Sequence, residues 1–216
     1  MRLSRIQTFW RKCLDTFWPE GCAGCGKYAE LSRYGFCQTC QSTIIFWHNQ
    51  PESTLLHVAR YEGVVKTIIL DYKYHRKKFL APKLANLLAD TLAEKITASL
   101  PEAIIPVPLF WCRELVRGFN QMVLIGLYLE KLLGIPLFGN VLIKHRPTLS
   151  QVGLDGPARK KNIQGSFRVS CPAKIKDKHL LLIDDVYTTG ATVSAAADCL
   201  KSAGARKVTI CTIARA

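Results

Sequence analysis

The chain has 216 residues, 49% of them hydrophobic, and carries 30 lysines and arginines against 16 acidic residues. This length accommodates one α/β domain with a small appendage, and the apolar fraction excludes a chain that is disordered throughout. The net charge of +14 favours a polyanionic partner, such as nucleic acid, a phosphate compound or an anionic membrane surface. The sequence contains neither an apolar run of the roughly 18–20 residues that a membrane span needs nor the pattern of a secretory signal, so we expect a cytoplasmic protein.

Residues 1–19 have apolar side chains at spacings of three, four and seven, which predicts an amphipathic helix with a basic polar face. Two interpretations remain open. The helix covers the body of the protein, or it lies as a peripheral anchor on the anionic inner face of the membrane.

Residues 20–50 contain two closely spaced cysteine pairs, Cys22-Ala-Gly-Cys25 and Cys37-Gln-Thr-Cys40. Four thiolates at this spacing can complete a closed tetrahedral zinc site, so the segment is predicted to be a small structural zinc module. The alternative is a redox-active dithiol, which two CxxC pairs in so short a segment disfavour. The other five of the nine cysteines are scattered among apolar residues and are expected to be reduced and buried.

Residues 51–216 alternate between strand and helix patterns. Strands are predicted at Leu56–Tyr61, Ile104–Leu109, Val141–Lys144, Leu180–Ile183 and Val208–Ile213, and helices at Val64–Tyr74, Phe79–Leu100, Gly118–Leu133 and Ala191–Ser202. This alternation predicts an α/β fold, with a parallel sheet flanked by helices on both faces. The segment His145–Gln164 is long for a connecting loop and is a candidate lid.

The end of the predicted helix Val64–Tyr74 and the residues that follow it interleave aromatic and basic side chains. This pattern suits single-stranded nucleic acid, because bases stack on rings while cations follow the phosphates. The candidate residues are Tyr72, Lys73, Tyr74, Arg76, Lys77 and Lys78. The alternative is a helix end whose basic side chains complement the helix dipole.

The segment Leu180–Thr192 is a buried strand that ends in Asp184 and Asp185, followed by small hydroxyl residues, Gly190 and a helix. The free N–H groups of a helix start attract phosphate, and the two carboxylates can accept hydrogen bonds from ribose hydroxyls or act near a divalent cation. The plainer alternative is a solvated aspartate pair that caps the helix.

The same segment resembles the fingerprint of type I phosphoribosyltransferases, which bind 5-phosphoribosyl 1-diphosphate (PRPP) with magnesium. The resemblance implies that Asp184 and Asp185 face the ribose as the catalytic pair. It further implies that the 5-phosphate lies against Thr188, Thr189, Gly190, Ala191 and Thr192.

Further motifs are similar to those of the ComF competence-protein family: Pro106-Val-Pro-Leu109, Arg117-Gly-Phe-Asn-Gln121 and Arg146-Pro-Thr-Leu-Ser-Gln151. A zinc segment ahead of a phosphoribosyltransferase domain is also that family's layout. The resemblance implies a role in natural transformation, with competence-machinery proteins as candidate partners. The chain departs from the family at Phe110-Trp111-Cys112, where a basic or histidine-containing segment is common.

Departure of a diphosphate requires positive charge, which arginine supplies well through its bidentate fork. The candidates for this role are Arg113, Arg117, Arg159, Lys160 and Lys161. Two hypotheses about function follow. In one, the protein is an enzyme that transfers phosphoribose to an unknown acceptor; in the other, the fold is a non-catalytic platform that handles single-stranded DNA.

Overall fold

The computed structural model describes residues 21–50, 53–95, 100–110, 118–146 and 165–216. The predicted N-terminal helix at 1–19, and residues 147–164 of the predicted lid, lie outside these ranges. Within them, none of the helices combines the length and apolar character that crossing a bilayer requires.

A parallel sheet forms the centre of the described structure. Its strands are β1 (Leu55–Arg60), β2 (Ala103–Pro106), β5 (His179–Tyr187) and β6 (Lys207–Arg215), in the spatial order β1-β6-β5-β2. Strand β5, which carries the Asp-Asp motif, is an interior strand of the sheet: it pairs with β2 on one side and with β6 on the other. Both faces of β5 are covered, so the four residues Leu180–Ile183 within it are fully buried. This explains why they form a continuous apolar run.

The helices cover both faces of this sheet, as the sequence predicted. They are α2 (Gly63–Tyr74), α3 (Ala81–Lys95), α4 (Gln121–Leu133) and α5 (Ala191–Ser202); the short helix α1 (Gln38–Ser42) belongs to the cysteine module. Side chains alternate between the two faces of a strand, and accordingly Leu181 and Ile183 share a core with α2, α3 and α4. Leu180 and Leu182 instead share a core with α5.

A short antiparallel pair, β3 (Leu142–Lys144) and β4 (Phe167–Val169), packs on the α5 side. The sequence predicted β3 but not β4. Three residues are too few to show a periodic pattern, and β4 is defined by its pairing with a strand that precedes it by more than twenty residues.

Several predicted boundaries shift in the structure: the helix predicted from Gly118 begins at Gln121, and the strand predicted to reach Leu109 ends at Pro106. The helix predicted from Phe79 begins as a 3-10 turn at Lys78–Leu80 and continues as α3 from Ala81. The strand predicted at Leu180–Ile183 extends through both aspartates to Tyr187, because Val186 and Tyr187 pair with Ala214 and Arg215 of β6. The aspartates therefore lie on the last residues of a strand and not in a free loop.

The cysteine module packs directly on the body of the protein. Cys22, Phe36 and Cys40 belong to the same hydrophobic cluster as α2 and α3. The chain leaving the module then pairs with β1, since the Trp47 N–H donates to the Val58 carbonyl at 2.8 Å and the Arg60 N–H donates to the Ile45 carbonyl at 2.9 Å. The module and the α/β domain thus share one continuous core.

The start of α4 depends on Asn120, whose side-chain oxygen accepts hydrogen bonds from the N–H groups of Met122 (2.9 Å) and Val123 (3.3 Å). We predict that Asn120→Ala lowers the free energy of unfolding by about 1 kcal/mol, because two N–H groups of the first turn lose their acceptor. Asn120→Asp, which keeps an acceptor oxygen, is the matched control. Urea unfolding followed by circular dichroism measures both, and equal stability of Asn120→Ala and the wild type would contradict this role.

Candidate functional site

The first candidate site is the cluster formed by Cys22, Cys25, Cys37 and Cys40. Their four sulfur atoms all lie within 4.8 Å of one another, and the Sγ atoms of Cys25 and Cys37 are 3.9 Å apart. Zn–S bonds of about 2.3 Å place the sulfurs of a tetrahedral site about 3.8 Å apart, so the cluster fits a zinc ion. Four protein ligands leave no coordination position for a substrate, which is typical of a structural site.

The backbone around Cys22 also favours a thiolate. The N–H groups of Cys37 and Gly24 donate to the Cys22 Sγ at 3.2 and 3.4 Å. Burial raises the pKa of the Cys22 thiol, but these backbone donors outweigh it and lower the pKa to about 6. The N–H···S bonds therefore stabilise the negative charge that a metal ligand must carry.

The second candidate site lies at the carboxyl end of β5. Asp184 and Asp185 are followed by the exposed Thr188 and Thr189. Gly190 then starts α5 in the left-handed conformation, with φ of 75°. A Cβ at this glycine would collide with the Tyr187 ring, so both the backbone angle and the space require glycine.

The N-cap residue of α5 is Gly190, which has no side chain to cap the helix, and the Ala191 N–H donates to the Thr189 Oγ1 at a long 3.5 Å. Ala191 and Thr192 are partly exposed. The N–H groups of the first turn thus face the same edge of the sheet as the two carboxylates. An edge of this kind, at the carboxyl end of parallel strands, is where ligands bind in open α/β sheets.

The two carboxylates differ in their surroundings. Burial and the neighbouring Asp185 raise the pKa of Asp184 to about 7, against the opposing effects of the Asp185 N–H and of Lys73 and Lys144. The Asp185 N–H donates to the Asp184 Oδ1 at 2.9 Å, which fixes the orientation of that carboxylate. Near neutral pH, Asp184 can therefore accept or release a proton.

Lys73 completes this site, although the sequence placed it in the nucleic-acid surface. Its Nζ atom lies 2.7 Å from the Asp185 Oδ1, with only 18% and 19% of the two side chains exposed. The two partners are 112 residues apart in the chain, and no signal in a single sequence could have paired them.

The remaining residues of the predicted nucleic-acid surface separate into buried and exposed members. Tyr72 is 2% exposed and donates from its hydroxyl to the Gln121 carbonyl at 2.8 Å, so its ring offers no surface on which a base could stack. This corrects the prediction for Tyr72. By contrast, Tyr74 is 65% exposed, and Arg76, Lys77 and Lys78 are also exposed. For Tyr72 and Tyr74 the difference follows from the rotation of about 100° between successive residues of a helix, whereas Arg76, Lys77 and Lys78 follow the end of α2.

Two of these exposed cations have intramolecular contacts as well. Lys77 pairs with Asp71 at 2.7 Å, and the Lys78 ammonium lies 4.8 Å from the centre of the Phe119 ring. The predicted diphosphate contacts Arg113, Arg117, Arg159 and Lys160, together with Lys161, lie outside the described residues. Their role stays a prediction.

The sequence did not indicate a cluster of rings that the structure shows at the end of β5. The Arg215 guanidinium lies 4.6 Å from the Trp47 ring and 5.5 Å from the Tyr187 ring, and His57 contacts both rings. Burial and the charge of Arg215 lower the pKa of His57 to about 4, so this imidazole is neutral at physiological pH. The cluster joins the chain leaving the cysteine module to the end of β5.

Comparison with known proteins supports the interpretation of this edge. Residues 120–216 match the model of the phosphoribosyl transferase domain. The chain is 27% identical to competence protein F of Haemophilus influenzae over 208 residues, covering 90% of each protein. It is 32% identical to the DNA utilization protein YhgH of Salmonella typhimurium over 168 residues, covering 76% of this chain and 73% of the relative. It is also 26% identical to competence protein ComFC of Bacillus subtilis, covering 85% of this chain and 72% of the relative.

Two solved structures illustrate the partial similarity to known folds. The glutamine PRPP amidotransferase from B. subtilis has a TM-score of 0.44 and 18% identity, over 66% of this chain and 30% of that one. The purine phosphoribosyltransferase from Pyrococcus horikoshii has a TM-score of 0.39 and 16% identity, over 76% of this chain and 89% of that one.

The parallel sheet with helices on both faces, the Asp-Asp motif at the end of its central strand and the cysteine cluster in front match the expected layout. With the matched domain and the extended similarity to the relatives named above, they lead to one conclusion: the chain belongs to the ComF family and has a type I phosphoribosyltransferase fold.

Proposed function

We propose that this protein binds PRPP with magnesium at the segment 184–192 and acts in the uptake or use of external DNA. The observation that carries the proposal is the meeting of three groups at one edge of the sheet. Two carboxylates, a glycine turn and the start of α5 are adjacent there, and together they suit a ribose that carries a phosphate.

In this proposal the hydroxyls of Thr188, Thr189 and Thr192 and the first N–H groups of α5 bind the 5-phosphate. Asp184 and Asp185 accept hydrogen bonds from the ribose hydroxyls. Their hard oxygen atoms also suit magnesium, which supplies neutralisation of the diphosphate charge when it is bound. If the protein is an enzyme, the same carboxylates support the positive charge that develops on the ribose.

The cellular role rests on the relatives. Proteins named competence protein F, competence protein ComFC and DNA utilization protein share most of their length with this chain. These names support a role for this protein in handling DNA that enters the cell.

A DNA-binding role has support from one surface of the structure. Tyr74 and Phe79 are 65% and 50% exposed and lie on either side of the cations Arg76, Lys77 and Lys78. Exposed rings next to cations can stack on the bases of a single strand and neutralise its phosphates. We therefore retain single-stranded DNA as a second ligand, with the phosphoribosyltransferase fold serving as its platform.

For PRPP, we predict that Asp184→Asn and Asp185→Asn each weaken binding at least about tenfold in the presence of magnesium, because each loses a charged acceptor. Isothermal titration calorimetry measures the affinity. Asp198→Asn, which removes an exposed carboxylate from α5, is the matched control and should bind as the wild type does. Failure of the wild type to bind PRPP would contradict the proposal.

For the cysteine cluster, we predict about one zinc ion per chain, held by the four thiolates. Cys22→Ser with Cys40→Ser should abolish zinc binding and lower the thermal unfolding temperature, because metal binding and folding are coupled in such modules. Atomic emission spectrometry of purified protein measures the zinc. Cys199→Ser on α5 is the control and should retain the metal; zinc retained by the double variant would eliminate this site.

For DNA, we predict that replacing Arg76, Lys77 and Lys78 by alanine weakens binding of a single-stranded oligonucleotide and reduces the dependence of affinity on salt concentration. Fluorescence anisotropy over a range of salt concentrations measures both. A variant with Lys174, Lys176 and Lys201 replaced loses the same charge from exposed positions elsewhere. Equal weakening in the two triple variants would show that net charge, and not this surface, determines the affinity.

A further inference from the structure

The contact between Lys73 and Asp185 brings an ammonium group to the candidate ligand site. Lys73 lies near the end of α2, and its ammonium reaches across to the end of β5, 2.7 Å from the Asp185 Oδ1. Asp185 is a residue to which the proposed function gives a direct contact with ribose or magnesium. The ammonium therefore occupies a position where the ligand or its cation would bind.

Burial and the neighbouring carboxylates act on Lys73 in opposite directions. Burial lowers the pKa of Lys73, but the attraction of Asp185 and Asp184 outweighs it and raises the pKa above its ordinary value. Among the described residues, Tyr61 and Tyr72 also interact with the pair, while Lys144 acts on Asp184. Since less than a fifth of either side chain is exposed, the pair is less screened than a surface ion pair.

The ion pair is not needed to attach α2 to the sheet. Val65, Ile68 and Ile69 of this helix are buried, and the Tyr72 hydroxyl bonds to the Gln121 carbonyl. These contacts fix the helix on the side of the core opposite α5. The position of Lys73 thus points to a role at the site beyond packing.

We propose that Lys73 is a ligand-binding residue that competes with the divalent cation for Asp185. In the empty protein its ammonium neutralises Asp185 and opposes binding of a free divalent cation. When the cation arrives together with the diphosphate, it takes Asp185, and the released ammonium binds an anionic oxygen of the ligand. This inference rests on the proposed binding of PRPP at the same edge.

The proposal predicts two effects of opposite sign in Lys73→Met, which keeps the length of the side chain and removes its charge. Binding of Mn²⁺ alone, a probe for magnesium, should become about threefold to tenfold tighter, because its competitor is gone. Binding of PRPP at saturating magnesium should become about tenfold weaker, because the ligand loses its contact with the Lys73 ammonium. Saturating magnesium already displaces Lys73 from Asp185, so removing this competitor gives no compensating gain.

Calorimetry on the full-length, zinc-loaded protein measures both affinities, and the bound zinc keeps the thiolates from binding manganese. Lys73→Gln provides a second neutral variant, Lys73→Arg retains the charge, and Lys201→Met removes an exposed lysine from the far end of α5. We expect Lys73→Gln to reproduce both effects, and Lys73→Arg and Lys201→Met to leave Mn²⁺ binding near the wild-type value. Thermal unfolding checks that each variant folds.

The outcomes separate the inference from the function on which it rests. Mn²⁺ affinity in the two neutral variants equal to or below that of the wild type would overturn the competition. PRPP affinity equal to that of the wild type would overturn the ligand role. Loss of both affinities, together with a lower unfolding temperature, would assign Lys73 to packing. By contrast, a wild type that binds no PRPP would contradict the proposed function itself.

Discussion

Two adjacent carboxylates at the end of a buried strand repel each other, and burial adds to the cost of ionising both. The structure meets this constraint unequally. Asp184 is held by the N–H of its neighbour, and its pKa rises to about 7, whereas Asp185 is paired with the ammonium of Lys73. At this edge Asp185 therefore has an ammonium partner, whereas Asp184 has a raised pKa. An anionic ligand consequently meets less repulsion there than two exposed aspartates would produce.

The helix α2 connects the parts of the molecule that the proposed activities require. Its buried face packs with the cysteine module and the sheet, Lys73 reaches the carboxylates, and Tyr74 is exposed beside the basic residues. Three consecutive residues, Tyr72, Lys73 and Tyr74, thereby contribute to the core, the ligand edge and the surface. A ligand that changes the contact of Lys73 acts on the helix that also carries the exposed aromatic surface, which gives the two proposed ligands a physical connection.

The cysteine module is joined to the α/β domain by packing and by backbone pairing with β1. Because Cys22, Phe36 and Cys40 are part of the main core, disruption of the cysteine module would expose apolar surface shared with α2 and α3. The chain that leaves the module places Trp47 against Arg215, which in turn lies over Tyr187 at the end of β5. The module therefore supports the edge of the sheet as well as its own fold.

The sequence by itself determined the features that depend on local spacing. These are the four cysteines, the buried apolar strand Leu180–Ile183 with two aspartates directly after it, the glycine turn, and α5, whose predicted limits Ala191–Ser202 match the structure. Each is encoded within a few residues, so periodicity and residue type suffice to predict it. The tertiary structure decided what long-range contacts impose: the pairing of β3 with β4, the extension of β5 along β6, the burial of Tyr72 and the approach of Lys73 to Asp185. The physical reason is that helical rotation and strand pairing determine which of two neighbouring residues faces the core, the site or the solvent, and a single sequence carries no record of contacts 112 residues apart.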